Sequence, residues 1–417
     1  MDCVIPGHSF RCFTGAIQCL SKIGKDLYVD FDPMDGLVLR TLNDAKSAFC
    51  VTEFSPPFFE RCTAPVMAAT TTSGRKRNHS TASSSTCSQG KRFSCRVPMK
   101  ALGQVIRPRK NIVTVRIKSE GHDGDTQTQN ENASLLLAFE FQLEIPNNNN
   151  NSHNQYKQQP TWCKVIHRLG VEEVDNICAV APKEECSELV AAPKLLHKWL
   201  EPIGNNRNDA EGCIIVTRDA DLVVATSFNS TDTVGLTTLA IQNGKQRTLK
   251  TESCLRLEDL EDFDFRDGRT LPHSSSSQPE RNNNSAYPPQ CPMPLNVNDE
   301  VCLVFGIKEA KAFLHFCTQQ ASNSNNRWNN DQSTMDLDNS RIHRNPWSVA
   351  MAYHWAGRPL IWEAKAASVS IQLVLATLSH TILKDLPVMK NRAAQSQQQL
   401  PAQQRRQSVD RNRRNSA

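Results

Sequence analysis

No two of the fifteen cysteines, scattered from Cys3 to Cys317, stand in a C-x-x-C arrangement. The usual seed of a zinc or dithiol-redox centre is therefore missing, and neither a metal nor a cofactor is expected. No run of about eighteen apolar residues occurs, which excludes a membrane-spanning helix. The N-terminus lacks a charged start followed by an apolar stretch, and the cysteine count is odd. Reduced thiols in the cytosol or nucleus are the expectation. A phosphate loop, a nucleophile elbow and an H-E-x-x-H helix are all absent. Aromatic residues make up only 6% and hydrophobic residues 38% of the chain, because Ser-, Asn- and Gln-rich segments dilute the part that can fold.

What is present is length enough for two cores: 417 residues exceed one typical domain two- to three-fold. Net charge is +5. From His380 onward eight basic residues face two acidic ones, so the rest of the chain is close to −1. Attraction to nucleic acid must then come from a local face or from that tail.

Apolar alternation predicts a hairpin around Asp35-Gly36, strands at 47–54, 92–97, 111–117, 134–145 and 161–169, and helices at 11–23 and 98–107. A second series follows with helices at 193–201 and 308–319 and strands at 212–228, 235–241, 300–307 and 370–378. The two series share one plan, and "DGLVLRT" (35–41) is echoed by "ADLVVATS" (220–227). The expected fold class is α+β, with two similar domains, each of two helices backed by antiparallel sheets. Domain one spans 1–171, with an insert at 64–92 and an Asn-rich loop at 146–160. A linker covers 172–190. Domain two spans 191–379, with an insert at 266–293 and a loop at 321–345, and a disordered basic tail covers 380–417.

The four helices repeat one design. Phe10, Phe13, Ile17 and Leu20 form an apolar stripe, with Arg11, Gly15, Gln18 and Lys22 opposite. Met99, Leu102, Val105 and Ile106 leave Lys100, Gln104 and Arg107 outside. Leu195, Leu196, Trp199 and Leu200 leave Lys194, His197 and Lys198, while Ala310, Phe313, Leu314 and Cys317 leave Lys308, Lys311, His315 and Gln319. Exposed helix faces are usually charged, but here the charge is of one sign on a body that is slightly acidic. Such a surface suits phosphates of any sequence.

Other runs offer narrower readings. Arg75, Lys76 and Arg77 with Lys91 and Arg92 suit nuclear import or a solubilising loop. Ser408 and Ser416 follow paired arginines in "RRQS" and "RRNS", as basophilic kinases prefer. "EDLEDFDF" (258–265) clusters Asp259, Asp262 and Asp264 with two glutamates, which suits a solvated turn more than a two-metal site drawn from separate elements.

The chain resembles the DNA sliding-clamp family of proliferating cell nuclear antigen, and more closely the Rad-nine-type subunit of the nine-one-one checkpoint clamp. The residues carrying the resemblance are "LSKIGKDLYVDFDPMDGLVLRTLNDAKSAFCVTEFSPPFF" (20–59), "VAAPKLL" (190–196), "VFGIKEAKAFLHF" (304–316) and "GRPLIWEAKAASVSIQLVLATL" (357–378). In 20–59 the hairpin, Arg40 and Phe58-Phe59 occur together. The resemblance implies a non-catalytic nuclear protein in a heterotrimeric ring with two other clamp-type subunits. A clamp loader would place that ring around double-stranded DNA, and checkpoint and repair proteins would dock on it. It further implies subunit edges, expected at 111–117 and 235–241, and a groove for client peptides beside the linker, where "DNICAVA" (175–181) lies. A homotrimeric replication clamp and a 3′–5′ exonuclease are the alternatives. The short, Gln-rich, basic tail departs from the long acidic tail of that family.

Overall fold

The computed structural model describes residues 1–63, 93–107, 109–120, 135–145, 161–175, 177–179, 181, 183, 186–203, 211–217, 222–228, 252–266, 300–331, 347–354 and 357–378. The expected inserts at 64–92 and 146–160, nearly all of that at 266–293, and the tail lie outside the described residues.

Alternation of apolar and polar residues builds the strands. In "DLYVDFD" the residues Leu27, Val29 and Phe31 are buried and their neighbours are not. The first half runs β1 (Asp2–Pro6), α1 (Gly7–Ile23), β2 (Asp26–Asp32), β3 (Gly36–Leu42), β4 (Ala48–Phe54), a 3-10 turn (Pro56–Phe58), β5 (Arg61–Thr63), β6 (Phe93–Pro98), α2 (Met99–Val105), β7 (Ile112–Glu120), β8 (Leu135–Ile145) and β9 (Thr161–Glu173). The second runs β10 (Ser187–Ala191), α3 (Pro193–Leu200), β11 (Glu211–Thr217), β12 (Leu222–Phe228), β13 (Glu252–Arg256), a 3-10 turn (Leu257–Asp259), β14 (Asp262–Asp264), β15 (Glu300–Gly306), α4 (Ile307–Asp331), β16 (Val349–Tyr353), β17 (Leu360–Lys365) and β18 (Val369–Leu375). Every element of one half has its counterpart, in the same order, in the other.

The pairings repeat as well. β1 sits between β5 and β7 as β10 sits between β14 and β16, and β2 lies between β3 and β6 as β11 lies between β12 and β15. All pairings are antiparallel. One sheet has the order β14-β10-β16-β17-β18-β4-β3-β2-β6-β9-β8-β7-β1-β5, and the other β13-β12-β11-β15. The halves join where β18 pairs with β4, from Val369↔Phe54 to Leu375↔Ala48. One continuous core then spans both halves.

The hairpin between β2 and β3 depends on Gly36, whose φ of +97° lies in the left-handed region. A Cβ there would also stand 2.1 Å from the Phe54 carbonyl oxygen. Gly36→Val is therefore expected to cost about 2–3 kcal/mol or more. Met34→Ser, two residues away and largely in solvent, should change stability by no more than about 0.5 kcal/mol. Thermal denaturation of the two variants side by side checks this.

Several sequence expectations are corrected. The helix expected at 308–319 continues to Asp331, so the loop expected from 321 begins later. The segment Gln320–Asp331 is polar but holds neither glycine nor proline, so nothing in it breaks a helix already nucleated on the core. α1 begins at Gly7 rather than 11, and β9 runs on to Glu173. Gly15 is not on the solvent face: a Cβ on it would meet Gln320 Nε2 at 3.1 Å and the Phe316 ring at 3.4 Å, so it permits the close approach of α1 to α4.

Candidate functional site

The helices form one layer, with α2 beside α1, α1 against α4, and α4 against α3. The Cys19 thiol donates to the Ala312 carbonyl at 3.4 Å across the α1–α4 contact, which links the two halves. Packing of the apolar stripes follows the periodicity of the sequence. Phe10, Phe13, Ile17 and Leu20 are buried, as are Met99, Leu102, Val105 and Ile106, then Leu196, Trp199 and Leu200, and Ala310, Phe313, Leu314 and Cys317.

The opposite faces carry cations. Arg11, Lys22, Lys100, Arg107, Lys194, Lys198 and Lys308 are exposed. No carboxylate occurs in α1, α2 or α3. Glu309 stands at the start of α4, where it meets the positive end of the helix dipole and accepts from Asn43 Nδ2 at 3.4 Å. The cationic faces of the two halves meet at His315. Its ring lies 5.7 Å from that of His197 on α3, and its Nε2 is 2.9 Å from Gln319 Nε2. Burial, then Lys22 on α1 and His197, hold the imidazole pKa below its ordinary value. Lys22 and His197, from different halves, thus act on one side chain.

Lys311 stands apart from the group in which the sequence placed it. It is half-buried, and its ammonium donates to the carbonyl of Glu201 at 2.8 Å and to that of Ile203, closing the C-terminal end of α3. Burial pushes its pKa down, against the pull of Glu201. It fastens α4 to α3 rather than facing outward.

The expected sheet edges also change. β7, which contains 111–117 apart from its first residue, is an interior strand between β1 and β8. Alternation alone does not separate an interior strand from an edge, since both bury one face. Residues 235–241 lie outside the described residues, as do Arg75, Lys76, Arg77, Lys91, Arg92, Ser408 and Ser416.

The unpaired edges among the described strands that matter here are those of β9 and β13. β9 pairs with β8 along Thr161–Val171 and meets β6 only at Glu172 and Glu173, which leaves its other side open. β13 pairs only with β12. Counting through the pairings of both halves, β9 is the counterpart of β18 and β13 that of β4. In β18 the inward residues Val369, Ile371, Leu373 and Leu375 are buried. In β9 the corresponding Cys163, Val165, His167 and Leu169 are only half-buried. On the outer side Trp162 and Ile166 remain 46% and 38% exposed. Apolar residues on both faces of one strand are the signal in the sequence for this edge, and it is weaker than the cleaner alternation of β7.

The segment between the halves crosses the outer face of the β18–β4 junction. There Phe49, Val51 and Val374 form a small apolar cluster, flanked by Val38 and Leu42, and Ile177 and Ala181 pack onto it. Lys183 pairs with Glu363 on β17. The acidic run is drawn apart: Glu258 accepts from Arg256 at 2.9 Å, Asp264 from Arg266 at 2.7 Å and Glu261 from Ser348 at 2.6 Å. Among the described residues no three His, Cys, Asp or Glu side chains are grouped to hold a metal ion.

A doubled α+β unit with one layer of helices and sheets behind it is the DNA sliding-clamp fold, and the chain is a clamp-type protein. The Rad9 family profile matches residues 13–339, so the chain belongs to the Rad9 family. It is similar to the solved PCNA of Thermococcus kodakaraensis at 9% identity and TM-score 0.48, over 90% of this chain and 99% of that one. It is also similar to the PCNA2–PCNA3 complex of Sulfolobus tokodaii at 10% identity and TM-score 0.45, over 90% and 99%. The proliferating cellular nuclear antigen of Entamoeba histolytica matches at 9% identity and TM-score 0.46, over 90% and 98%.

Proposed function

We propose that this chain is one subunit of a heterotrimeric ring that encircles double-stranded DNA in the nucleus and serves there as a platform for checkpoint kinases and repair enzymes. The domain division falls in the segment 172–190, which joins β9 to β10 and takes in the end of one and most of the other. A loader opens and closes the ring, and client peptides reach the apolar cluster of Phe49, Val51 and Val374 beside Ile177. The exposed cations of the four helices face the DNA and contact phosphate without reading bases.

The observation that carries this reading is internal. The chain pairs β18 with β4 to join its halves, yet among the described strands their counterparts β9 and β13 each keep an open side. Repeating the same joint between chains closes a ring and removes the open edges.

The register of β18 on β4 also bears on what the neighbour is. Ser370 faces Glu53 and donates to it at 3.0 Å, while Val374 faces Phe49. If β9 met β13 of a second copy in that register, Trp162 would face Arg256, Lys164 would face Cys254, and Ile166 would face Glu252. Trp162 and Arg256 could stack, but Lys164 opposite Cys254 and Ile166 opposite Glu252 do not match in character, which favours a different chain as neighbour over the homotrimeric alternative.

Light scattering on the isolated chain, and electron microscopy after co-expression with two other clamp-type chains of the same source, test the reading. A monomer alone and a three-part ring in company are expected; a stable homotrimer would overturn it. Ile166→Asp should abolish entry into the ring while leaving the thermal midpoint of the free chain unchanged, because the side chain is exposed until a neighbour covers it. Capture of Ile166→Asp at wild-type level would remove β9 from the interface.

A further inference from the structure

We propose that Cys3 and Cys62 form a reversible oxidation site, a dithiol that hydrogen peroxide converts to a cross-strand disulfide. The two residues are direct partners in the β1–β5 pairing, and their sulfurs lie 3.5 Å apart. Antiparallel partners are held at a Cα spacing that a disulfide spans without backbone movement. Cys3 is buried and Cys62 half-buried, so an oxidant reaches Cys62 first. The sulfur–sulfur contact lowers the Cys62 pKa, against the opposing pull of burial and of the Asp2 carboxylate, and the same contact, followed by burial, raises that of Cys3 and keeps it protonated. One sulfur is thus set to react and the other to resolve.

The chemistry balances with peroxide as the only co-reactant. The Cys62 thiolate attacks one peroxide oxygen; an S–O bond forms, the O–O bond breaks, and hydroxide leaves and is protonated to water. Cys62 is now a sulfenic acid. The Cys3 sulfur attacks it, the S–S bond forms, the S–O bond breaks, and the departing hydroxide takes the Cys3 proton as a second water. Two thiols are oxidised and one peroxide is reduced. A small dithiol reverses the reaction by exchange.

The position gives the bond a role. β5 has three residues, is the last strand of the large sheet, and leads directly into the segment from residue 64. Fastening Cys62 to Cys3 ties that segment to the N-terminal strand. Among the described residues Cys50 also meets a thiol, that of Cys19, but Cys50 and Cys317 are wholly buried and out of an oxidant's reach, and burial pushes Cys12 up to about 12.

The test uses the folded full-length chain, treated with hydrogen peroxide, its remaining thiols then blocked with N-ethylmaleimide before tryptic digestion. Cleavage after Arg11, Arg61 and Arg75 gives fragments 1–11 and 62–75, each with one cysteine. The two should appear as one linked species, lighter by two hydrogens than their sum and separated again by dithiothreitol. Cys3→Ser should remove the linked species and leave Cys62 as a peroxide-derived acid. Unfolding the chain in urea before the peroxide should lower the yield several-fold. Recovery of both fragments as blocked thiols, while the exposed Cys178 or Cys254 has reacted, overturns the proposal. So does linkage of Cys62 to assorted cysteines, equally in the folded and the unfolded chain.

Discussion

Changing Lys22, Lys100, Lys194 and Lys308 together to glutamate is expected to weaken duplex binding by the assembled ring roughly a thousand-fold at about 0.1 M salt. The expected slope of log affinity against log salt is shallower by about 3.6. The estimate treats each lysine as one neutralised phosphate, with a contribution of about 0.9 to the slope. The four come from four helices, one each, and all are exposed, so stability should shift by no more than about 0.5 kcal/mol per site. Lys311 is left out deliberately. Its removal would free the Glu201 and Ile203 carbonyls and loosen α3 from α4, and a loss of binding would then have two causes. Fluorescence anisotropy across a salt series measures both quantities. An unchanged slope would mean that these faces do not meet DNA, whatever the ring does.

The largest stability effect is expected at Trp362. It lies on β17 with no exposed surface, its ring centroid 6.5 Å from each of the Phe305 and Phe313 rings. It fills the space between β15 and α4. Trp362→Ala should cost about 3–5 kcal/mol, the sum of lost burial and the cavity left behind. Trp362→Phe should cost much less. The indole N–H is buried with no hydrogen-bond partner among the described residues, so its loss removes an unsatisfied donor. Urea denaturation followed by circular dichroism separates the two variants. If Phe and Ala prove equally damaging, filled volume is not what Trp362 supplies. Because Phe313 belongs to α4, the alanine variant should also disturb the helix that carries Lys308.

The apolar stripes were legible because burial in a helix has a period, and the residues named from that period are the ones that pack. The hairpin was legible because Asp35-Gly36 demands a turn, and Gly36 takes the positive φ that the turn requires. The second half was harder to read in detail, since β13 and β14 are short and the insert expected at 266–293 and the loop expected at 321–345 break the pattern. Gly15 looked like an outward residue on a helical wheel, where only the approach of Phe316 and Gln320, 301 and 305 residues away, explains it. The edges escape a local pattern for a related reason. β7 and β9 both hold alternating apolar residues, and what distinguishes them is that β1 returns to cover the second side of one, while no described strand covers that of the other along Thr161–Val171.

By itself the sequence determined the α+β class, the doubled plan, the inward faces of four helices and the single sign of charge on their outward faces, because each of these follows from local period and composition. Only the tertiary structure decided which strands are left open, that Lys311 is bound to the end of α3, and that Cys3 meets Cys62. Those outcomes depend on pairings between residues far apart in the chain, for which no local pattern exists.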